Sequence, residues 1–555
     1  MLDGSQQSLQ AALNTLEIFG NMSGLRMNKD KTKMIWIGRK RFCREKLNIS
    51  VDLNWEDTDF TLLGLKFSTN LSKLLQVNYD SVLCKIAQEV RKWKNRYLTP
   101  FGRITIIKAN ILPKCIHLFS SLPRSETFLK SRKTILFKFI WDGKPDKIKR
   151  TMIFRQNYEG GLNMIDVKNF EQALKLSWIN RLLCCPQSQW YQLFKVSHTD
   201  PKNLFIYGDD FSKKTLKNVT NQFWKNVIED WAHMCHSQKP ISNSEILQNC
   251  IWYNSQVFKS PTFFLDWFKR GISLSGDITD TEGELLTFKH LKSKFNANLN
   301  IVNYYTVRQS VKMFMAQYKQ PNQLWQLELP TYPLHLKVLL NKQKSCKKFY
   351  NALKSGSKED NPLCERIWSK LLTEYPNTEQ IEKWPLIYKI CFKCIEDNGY
   401  VWFQYRILFQ ILGTRDYMKR TNIISDSTCN LCNGAVQDIV HLFDECPISS
   451  LLWEHLANWI DKKVGMKLTI DKTMKILGYQ NQDLHFWPLN FVLLITRKYI
   501  FWCAIKQFPL DIYFLQKEIK NRFKEQEYLF KIKSMPEAFS KRWEIWSCLF
   551  DTIDN

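Results

Sequence analysis

The strongest constraint on the fold of this chain is a group of cysteine and histidine residues near position 440. Cys429, Cys432, His441 and Cys446 follow the spacing Cys-x2-Cys, eight residues, His-x4-Cys, and the turn residues Asn433-Gly434 come directly after the first pair. Thiolate and imidazole are the ligands that zinc prefers, and four protein ligands complete a tetrahedral shell. The spacing therefore predicts a structural Zn2+ site that holds together a small lobe without a core of its own.

The remaining cysteines have a simpler interpretation. Sixteen cysteines in a chain that begins without a secretory signal indicate reduced thiols or metal ligands rather than disulfides. Cys391 and Cys394 also have the Cys-x2-Cys spacing, but they lie in an apolar helical stretch without further ligands, so we predict them, and Cys184-Cys185, to be core residues. For the four residues of the proposed zinc site, reduced core side chains are the alternative.

Positive charge is the second main feature of the sequence. The chain has 80 lysines and arginines against 53 acidic residues, a net charge of +27. From Lys85 to Arg150 there are 17 basic and 4 acidic residues. A soluble protein with such an excess commonly binds a polyanion, although solvated basic faces are the alternative.

Targeting and membrane signals are weak. The first ten residues have neither a basic region nor an apolar one. The best apolar candidate, Phe491 to Ile505, is shorter than the ~18–20 residues of a membrane span and is split by Arg497 and Lys498. We expect an intracellular protein of the nucleus or cytoplasm that is not secreted and has no membrane partner. Arg39-Lys40-Arg41 is a weak candidate for nuclear import.

The periodicity predicts a mainly α, multi-domain protein. Lys33–Ile37 and Phe60–Phe67 are short and rich in branched and aromatic residues, which predicts strands in an N-terminal β/α segment. Apolar residues from Tyr79 to Tyr97 recur at helical spacing, and Trp93 belongs to this stripe. Thr99-Pro100 predicts the start of the next helix.

The basic region should form a small helical bundle with one cationic flank. A third helix carries Phe128 and Phe139 on its inner side, and its cations, Arg132 among them, are predicted to face solvent. A helical, Trp-rich middle region, a small zinc-knuckle lobe and C-terminal helices complete the predicted fold.

Common catalytic motifs are missing from the sequence. It has no Gly-rich phosphate loop, no His-Glu-x2-His and no Gly-x-Ser-x-Gly. Phosphoryl transfer by polymerases needs clustered carboxylates to hold Mg2+. Asp209-Asp210 is predicted to lie in a polar loop rather than on a strand, so the sequence gives no candidate for such a cluster.

Several segments resemble LINE-type (non-LTR) retrotransposon reverse transcriptases. The run RKWKNRYLTPFGRITIIKANILPKCIHLFSSLP, Arg91 to Pro123, resembles their thumb region, as do Phe139-Ile140-Trp141 and Glu159-Gly160-Gly161-Leu162. Leu2-Asp3-Gly4-Ser5 looks like the palm segment that follows their catalytic Asp-Asp motif. The residues that look like their zinc-binding C-terminal segment are Trp402, Gln404, Arg406, Leu412-Gly413-Thr414, Cys429, Cys432, His441-Leu442-Phe443, Cys446 and Trp453.

The resemblance implies RNA-directed DNA synthesis primed from a nick in target DNA. The family's endonuclease, fingers, most of the palm and the Asp-Asp dyad should precede Met1, and we expect none of them in this chain. No catalytic residue can therefore be assigned, and Mg2+ is expected only in the full-length enzyme. The implied segments are a palm remnant (1–75), a basic thumb bundle (76–150), a Trp-rich connecting region (151–380), a zinc-binding segment (381–480) and C-terminal helices (481–555).

The function expected from charge and resemblance is binding of a template-primer duplex of RNA and DNA. A polymerase thumb grips the duplex through its backbone, which requires positive charge without sequence readout. The candidate contacts are Arg91, Lys92, Lys94, Arg96, Arg103, Lys108, Lys114 and Arg406.

These candidates differ in rank. Arg103 and Lys108 rank highest because they lie at the centre of the resembling run. Trp93 is predicted to be core, and Arg406 could equally pair with an acidic neighbour. The alternative function is a zinc-containing interaction or scaffold protein, in which the zinc lobe and the Trp-rich middle bind another protein.

Overall fold

The computed structural model describes residues 2–43, 45–48, 53–56, 59–68, 70–296, 299–321, 323–325, 345–355, 362–372, 384–481 and 483–550. The chain forms two compact units, each built from discontinuous pieces. Unit 1 comprises residues 1–91, 111–134 and 167–358, and unit 2 comprises residues 92–110, 135–166 and 359–555. The mainly α class is confirmed, and the five implied segments remain a prediction.

The N-terminal part of unit 1 contains one helix and two small sheets. The elements are α1 (Gln6–Ser23), β1 (Lys33–Met34), β2 (Asn54–Trp55), β3 (Asp59–Leu62) and β4 (Leu65–Ser68). Strands β1 and β2 pair in parallel, and β3 and β4 pair antiparallel. The prediction of one strand over Phe60–Phe67 is wrong, because Leu63 and Gly64, with φ of 50° and 82°, turn the chain into a hairpin. The palm assignment of this region remains a proposal.

The basic region is helical, as predicted, but its helices range from 5 to 24 residues and the region is divided between the two units. The helices are α2 (Leu71–Lys94), α3 (Pro100–Ile106), α4 (Pro113–Ser121), α5 (Glu126–Ile140) and α6 (Arg150–Phe154). Thr99 accepts a hydrogen bond from the Gly102 amide and caps α3, and Pro100 occupies its first turn. Tyr97 lies beyond the end of α2 and is fully exposed, so it does not belong to the buried stripe.

The middle region is helical and has tryptophan-rich cores, all within unit 1. Its helices are α7 (Val167–Cys184), α8 (Gln189–Ser197), α9 (Asn203–Ile206), α10 (Asp209–Leu216), α11 (Gln222–Ser237), α12 (Asn243–Leu247), α13 (Leu265–Lys269), α14 (Phe288–Lys294), α15 (Ile301–Tyr318) and α16 (Ser345–Ser355). Trp231, Trp252 and Trp267 are completely buried. Burial of these large rings supplies much of the hydrophobic stabilisation of the region.

Two predictions for this region are wrong. Cys184 and Cys185 are exposed, because they lie at the end of α7 rather than in its buried middle. Asp209-Asp210 begins helix α10, where the buried carboxylate of Asp209 accepts hydrogen bonds from the backbone amide and hydroxyl of Ser255.

A buried ion network joins three helices of unit 1. Arg124, just before α5, donates to Glu171 on α7, with 2.7 Å between Nε and Oε2, and to Asp230 on α11. The ammonium of Lys175 donates to the carbonyl of Phe119 at the end of α4, at 2.7 Å. These charges are protected from water, so their mutual pairing decides whether the packing of α5, α7 and α11 is stable.

Arg132 on α5 is not on a solvent-facing flank, which corrects the prediction for this helix. Its side chain is completely buried, and the guanidinium lies 5.3 Å from the centre of the Phe119 ring. Arg132 follows Phe128 by four residues and precedes Phe139 by seven, so helical periodicity places all three on one face, and Phe119 of α4 packs there. The prediction relied on the charge of Arg132 rather than on this spacing.

The C-terminal part of unit 2 is built around one apolar helix. The helices are α17 (Leu363–Leu372), α18 (Trp384–Lys393), α19 (Asn398–Leu408), α20 (Arg415–Arg420), α21 (Pro447–Val464), α22 (Lys472–Leu477), α23 (Trp487–Lys506), α24 (Ile512–Ile532) and α25 (Pro536–Trp543). Among the described residues, α23 alone has the length and apolar composition of a membrane span, and 72% of its apolar stretch is buried inside the protein. It packs as the central helix of this core.

The second Cys-x2-Cys pair belongs to this core, as predicted. Cys391 and Cys394 are completely inaccessible to solvent. Burial raises the pKa of Cys394 to about 11, and it also raises that of Cys391. Both side chains are therefore protonated thiols at neutral pH.

The Gly160-Gly161 turn is packed tightly inside unit 2. Gly160 adopts a left-handed conformation with φ of 78°, and its carbonyl accepts a hydrogen bond from the Tyr405 hydroxyl at 2.8 Å. A Cβ atom at Gly160 would lie 2.7 Å from the Tyr388 ring. Only glycine combines this conformation with this contact.

Candidate metal centre and nucleic-acid interface

The first half of the Cys/His cluster is a tight knuckle. Thr428 and Val436 form an antiparallel bridge, and the Cys429 amide donates to the Ala435 carbonyl at 2.9 Å. The Asn433 amide donates to the Cys429 carbonyl at 2.9 Å, and Asn433 takes a left-handed φ of 54°. Asparagine tolerates this conformation, so the turn brings Cys432 back beside Cys429.

The second half of the cluster lies at the start of α21. His441 opens a π-helical turn, His441–Glu445, and its amide donates to the Asp438 carboxylate at 2.8 Å. The Cys446 amide donates to the His441 carbonyl at 2.7 Å, and Cys446 is the N-cap residue of α21. The wider π turn therefore places both side chains on one side of the chain.

The four side chains converge on one point. Their ligand atoms all lie within 4.8 Å of one another, and 3.4 Å separates Cys432 Sγ from His441 Nε2. A tetrahedral zinc with Zn–S bonds of about 2.3 Å has sulfur–sulfur edges of about 3.8 Å. The donor set and its dimensions therefore fit a Zn2+ ion. Cys429, His441 and Cys446 are buried and Cys432 is partly exposed, and four protein ligands would leave no open position on a tetrahedral ion.

The surroundings of Cys429 favour a thiolate. A hydrogen bond from Cys446, together with the amides of Cys432 and Leu431, lowers the pKa of Cys429 to about 4, although burial acts in the opposite direction. The same hydrogen bond raises the pKa of Cys446, because its thiol is the donor, while the amides of Ser449 and Ile448 act in the opposite direction. A metal ion replaces the shared proton, and both sulfurs can then bind as thiolates.

The comparison with known families agrees with this geometry. Residues 373–453 match the family described as zinc-binding in reverse transcriptase. The match includes all four proposed ligands. The chain therefore has a zinc-binding region of the kind found in reverse transcriptases, and the zinc prediction is supported by both the donor set and the match.

The predicted nucleic-acid contacts differ in their accessibility. Those at the end of α2, namely Arg91, Lys92, Lys94 and Arg96, are exposed. Lys108 is half-buried, and burial lowers its pKa. Lys114 is also half-buried and lies 4.0 Å from Glu89. Trp93 is half-buried rather than core, and the Arg96 guanidinium lies 5.9 Å from the centre of its ring.

Arg103, ranked highest from the sequence, is an interior residue. Its Nη1 atom donates to the Phe139 carbonyl at 2.6 Å and to Asp142 Oδ1 at 3.0 Å, and Nε donates to the Leu98 carbonyl at 3.2 Å. Only 6% of the residue is exposed. The guanidinium connects α3 to the end of α5, so its position corrects the high rank that the sequence gave it as a phosphate contact.

Arg406 lies in a group of cations. Within the described residues no carboxylate pairs with it, and its Nε atom has no hydrogen-bond partner. Its guanidinium lies about 6 Å from the centres of the Phe403 and Phe501 rings. Burial lowers the pKa of Lys147, and the charges of Lys144 and Arg406 lower it further. Such mutual repulsion is relieved by a bound anion.

Sequence reasoning did not identify these two lysines as partners of Arg406, although all three belong to unit 2. Lys144 and Lys147 are separated from Arg406 by about 260 positions in the sequence. The basic stretch that ends at Arg150 indicated that Lys144 and Lys147 contribute positive charge, but it did not indicate that they lie near Arg406.

Proposed function

We propose that this chain is a nucleic-acid-binding C-terminal region of a LINE-type reverse transcriptase. The observation that carries the proposal is the match of residues 373–453 to the zinc-binding region of reverse transcriptases, on a chain whose sequence also resembles the thumb. In this proposal RNA and DNA are the partners. The zinc lobe holds the surrounding segment in shape, and the thumb supplies the charge.

The proposed duplex-binding surface consists of the last residues of α2 and those just after it, Lys92 to Tyr97, all of which belong to unit 2. Lys92, Lys94 and Arg96 are exposed within five positions, next to the half-buried ring of Trp93 and the exposed ring of Tyr97. Cations that are not buried can approach phosphate oxygens without a large desolvation cost. This arrangement suits binding to a backbone without recognition of its sequence.

The exposed apolar residues of helix α1 support the proposal that another domain packs against it. Ile18, Phe19 and Met22, which lie within about 100° of one another around the helix, are each more than half exposed, and Met22 is 84% exposed. Exposed apolar residues that lie together commonly mark a contact with another domain or protein. We propose that this face packs against the rest of a palm domain, in agreement with the resemblance of residues 1–75.

The proposal assigns no catalysis to this chain alone. The Asp-Asp pair of this sequence, Asp209-Asp210, begins helix α10 rather than lying on a strand, and both carboxylates pair with Lys213. The metal-ligating group found among the described residues consists of three cysteines and a histidine. We therefore expect no nucleotide incorporation when the chain is given a primed template, Mg2+ and deoxynucleotides. Incorporation in this assay would contradict the assignment as a binding region.

Binding is tested with a labelled RNA/DNA hybrid and a variant that lacks the α2 charges. The triple variant Lys92→Gln, Lys94→Gln, Arg96→Gln should lose affinity by about tenfold or more at low salt. Each lysine or arginine that contacts a phosphate releases counterions from the nucleic acid, and the variant loses that contribution. The control variant Lys289→Gln, Lys292→Gln, Lys312→Gln removes three exposed charges from α14 and α15 of unit 1. It should bind normally. Equal affinity of both variants and the parent would favour the scaffold alternative.

A further inference from the structure

A wide groove lies between α23 and α24 in unit 2. It has a volume of about 760 Å3, which is within the size range of ligand-binding clefts, about 300–1,000 Å3. Ile495, Tyr499 and Trp502 line it from α23, at spacings of four and three residues. Phe514 and Lys517 line it from α24. The two helix faces are thus the walls, and the loop that joins them closes one end.

Aromatic rings in this groove are unusually accessible. Trp502 is 48% exposed, Phe508 50% and Phe514 59%. The rings of Trp502 and Phe508 are 5.2 Å apart and are tilted by 46°. They are not packed face to face, so each keeps ring surface for another flat group. The three rings line the same groove, and exposed apolar residues that form one patch commonly mark a binding site.

Positive charge accompanies the rings. The ammonium of Lys498 lies 3.3 Å from the centre of the Tyr400 ring at the side of the groove, and burial lowers its pKa. Lys517 lies on the opposite wall and is exposed. In the part of the chain that the structure describes, neither lysine forms an ion pair.

The acidic residues of the groove already have partners. Glu518 accepts hydrogen bonds from Arg522 at 2.8 Å and from the Tyr400 hydroxyl at 3.0 Å. Asp511 caps α24, and its carboxylate accepts hydrogen bonds from the amides of Tyr513 and Phe514. Arg522 offsets the charge of Glu518, and Asp511 keeps its negative charge, so Lys498 and Lys517 leave the lining of the groove with a net charge of +1.

We propose that this groove binds single-stranded nucleic acid. Trp502, Phe508 and Phe514 would stack on bases, and Lys498 and Lys517 would contact phosphates. Aromatic rings next to unpaired cations are the two elements that hold single strands without sequence preference. An amphipathic helix of a protein partner fits less well, because such a helix lays its apolar face into a hydrophobic groove and this groove has a lysine on each wall.

This site is separate in sequence and chemistry from the duplex-binding surface proposed at the end of α2. The duplex surface depends on charge alone, whereas the groove depends on rings. The two proposals can therefore fail independently. A single strand and a duplex of the same length are the two probes that separate them.

The test measures the affinity of the full chain for a labelled oligouridylate and for an RNA/DNA hybrid. Trp502→Ala should weaken single-strand binding about 5- to 150-fold, the effect of losing one stacked base, and leave hybrid binding unchanged. Trp502→Phe should keep most of the affinity, because it keeps a ring. The matched control Tyr528→Ala removes an exposed ring of α24 that does not line the groove, and it should bind as the parent does.

Each outcome decides the proposal. Loss of single-strand affinity in Trp502→Ala and in Phe514→Ala, with normal binding by Tyr528→Ala, supports the groove. Unchanged affinity in both groove variants overturns it. An equal loss in groove and control variants also overturns it. Since all three rings are exposed, their removal should not prevent folding, and circular dichroism of each variant confirms this.

Discussion

Arg124 and Asp230 form a buried ion pair across 106 residues of sequence. The same guanidinium also binds Glu171, and the Gln172 amide donates to the second oxygen of Asp230 at 2.9 Å. One arginine before α5 thus pairs with two carboxylates from two other helices, and Lys175, whose Nζ lies 3.8 Å from Glu171 Oε1, supplies the second positive charge. This network links the start of α5 to α7 and α11 within unit 1.

Removal of Arg124 should lower the free energy of unfolding of unit 1. In Arg124→Met the carboxylates of Glu171 and Asp230 stay buried without their main partner, and breaking a buried pair in this way costs about 3–5 kcal/mol. The measurement is urea denaturation followed by tryptophan fluorescence. A loss below about 1 kcal/mol would mean that the pair is solvated and contributes little.

The same variant should show a characteristic pH dependence. Burial already raises the pKa of Glu171 above 4.5, and Arg124 opposes that rise. Without the arginine the rise is larger, so the folded state binds protons that the unfolded state has lost. Stability of Arg124→Met should therefore increase as the pH falls from about 7 toward 5, and its deficit relative to the parent should shrink. A constant deficit over this range would contradict the assignment of the effect to Glu171.

The zinc site predicts a clear chemical result. The parent should contain one zinc per chain, and Cys429→Ser, Cys432→Ser should contain none, because two of the four ligands are lost. Hydrogen exchange should then increase near residues 428–446 and remain unchanged in α2 to α5. The control Cys184→Ser changes an exposed cysteine of unit 1 and should keep its zinc. Equal zinc content in all three proteins would rule out the site.

The turn at Gly160 gives a prediction about packing. Gly160→Ala should destabilise unit 2, because the added methyl group meets the Tyr388 ring and alanine is strained at this φ. We expect a loss of about 1–3 kcal/mol. Gly143→Ala is the comparison, since Gly143 has a similar φ of 77° but no atom within 4 Å of the new Cβ. If both variants lose equal stability, conformation alone is responsible and the Tyr388 contact is unimportant.

The sequence predicted the features that depend on neighbouring residues. The cap at Thr99-Pro100 and the convergence of Cys429 and Cys432 follow from short spacing, and the structure contains both. Burial of Cys391 and Cys394 followed from the apolar helix around them. In each case the chemistry that fixes the geometry lies within a few positions along the chain.

The sequence did not predict features that depend on distant segments. The charge of Arg103 and Arg132 indicated exposed cations, but the Phe139 carbonyl accepts a hydrogen bond from Arg103 and the Phe119 ring packs on Arg132. The cation group around Arg406 and the groove between α23 and α24 also require packing between residues far apart in sequence. Periodicity gives the apolar face of a helix but not what covers its polar face.

Arg103 should therefore matter for folding rather than for binding. Arg103→Ala removes three hydrogen bonds from a buried guanidinium, and hydrogen bonds to charged groups contribute about 1.5–3 kcal/mol each at most. We expect a loss of about 2–4 kcal/mol in unfolding free energy. Hybrid affinity, measured where the variant is still folded, should stay within about twofold of the parent. A large loss of affinity in a fully folded variant would restore Arg103 as a direct contact.

The salt dependence of hybrid binding tests the central claim most directly. The logarithm of the binding constant falls linearly with the logarithm of salt concentration, by about 0.9 for each phosphate that a protein neutralises. The claim predicts a steep slope for the parent chain and a slope shallower by about two to three for Lys92→Gln, Lys94→Gln, Arg96→Gln. Identical slopes for the two proteins would contradict it, because the end of α2 would then contact no phosphate.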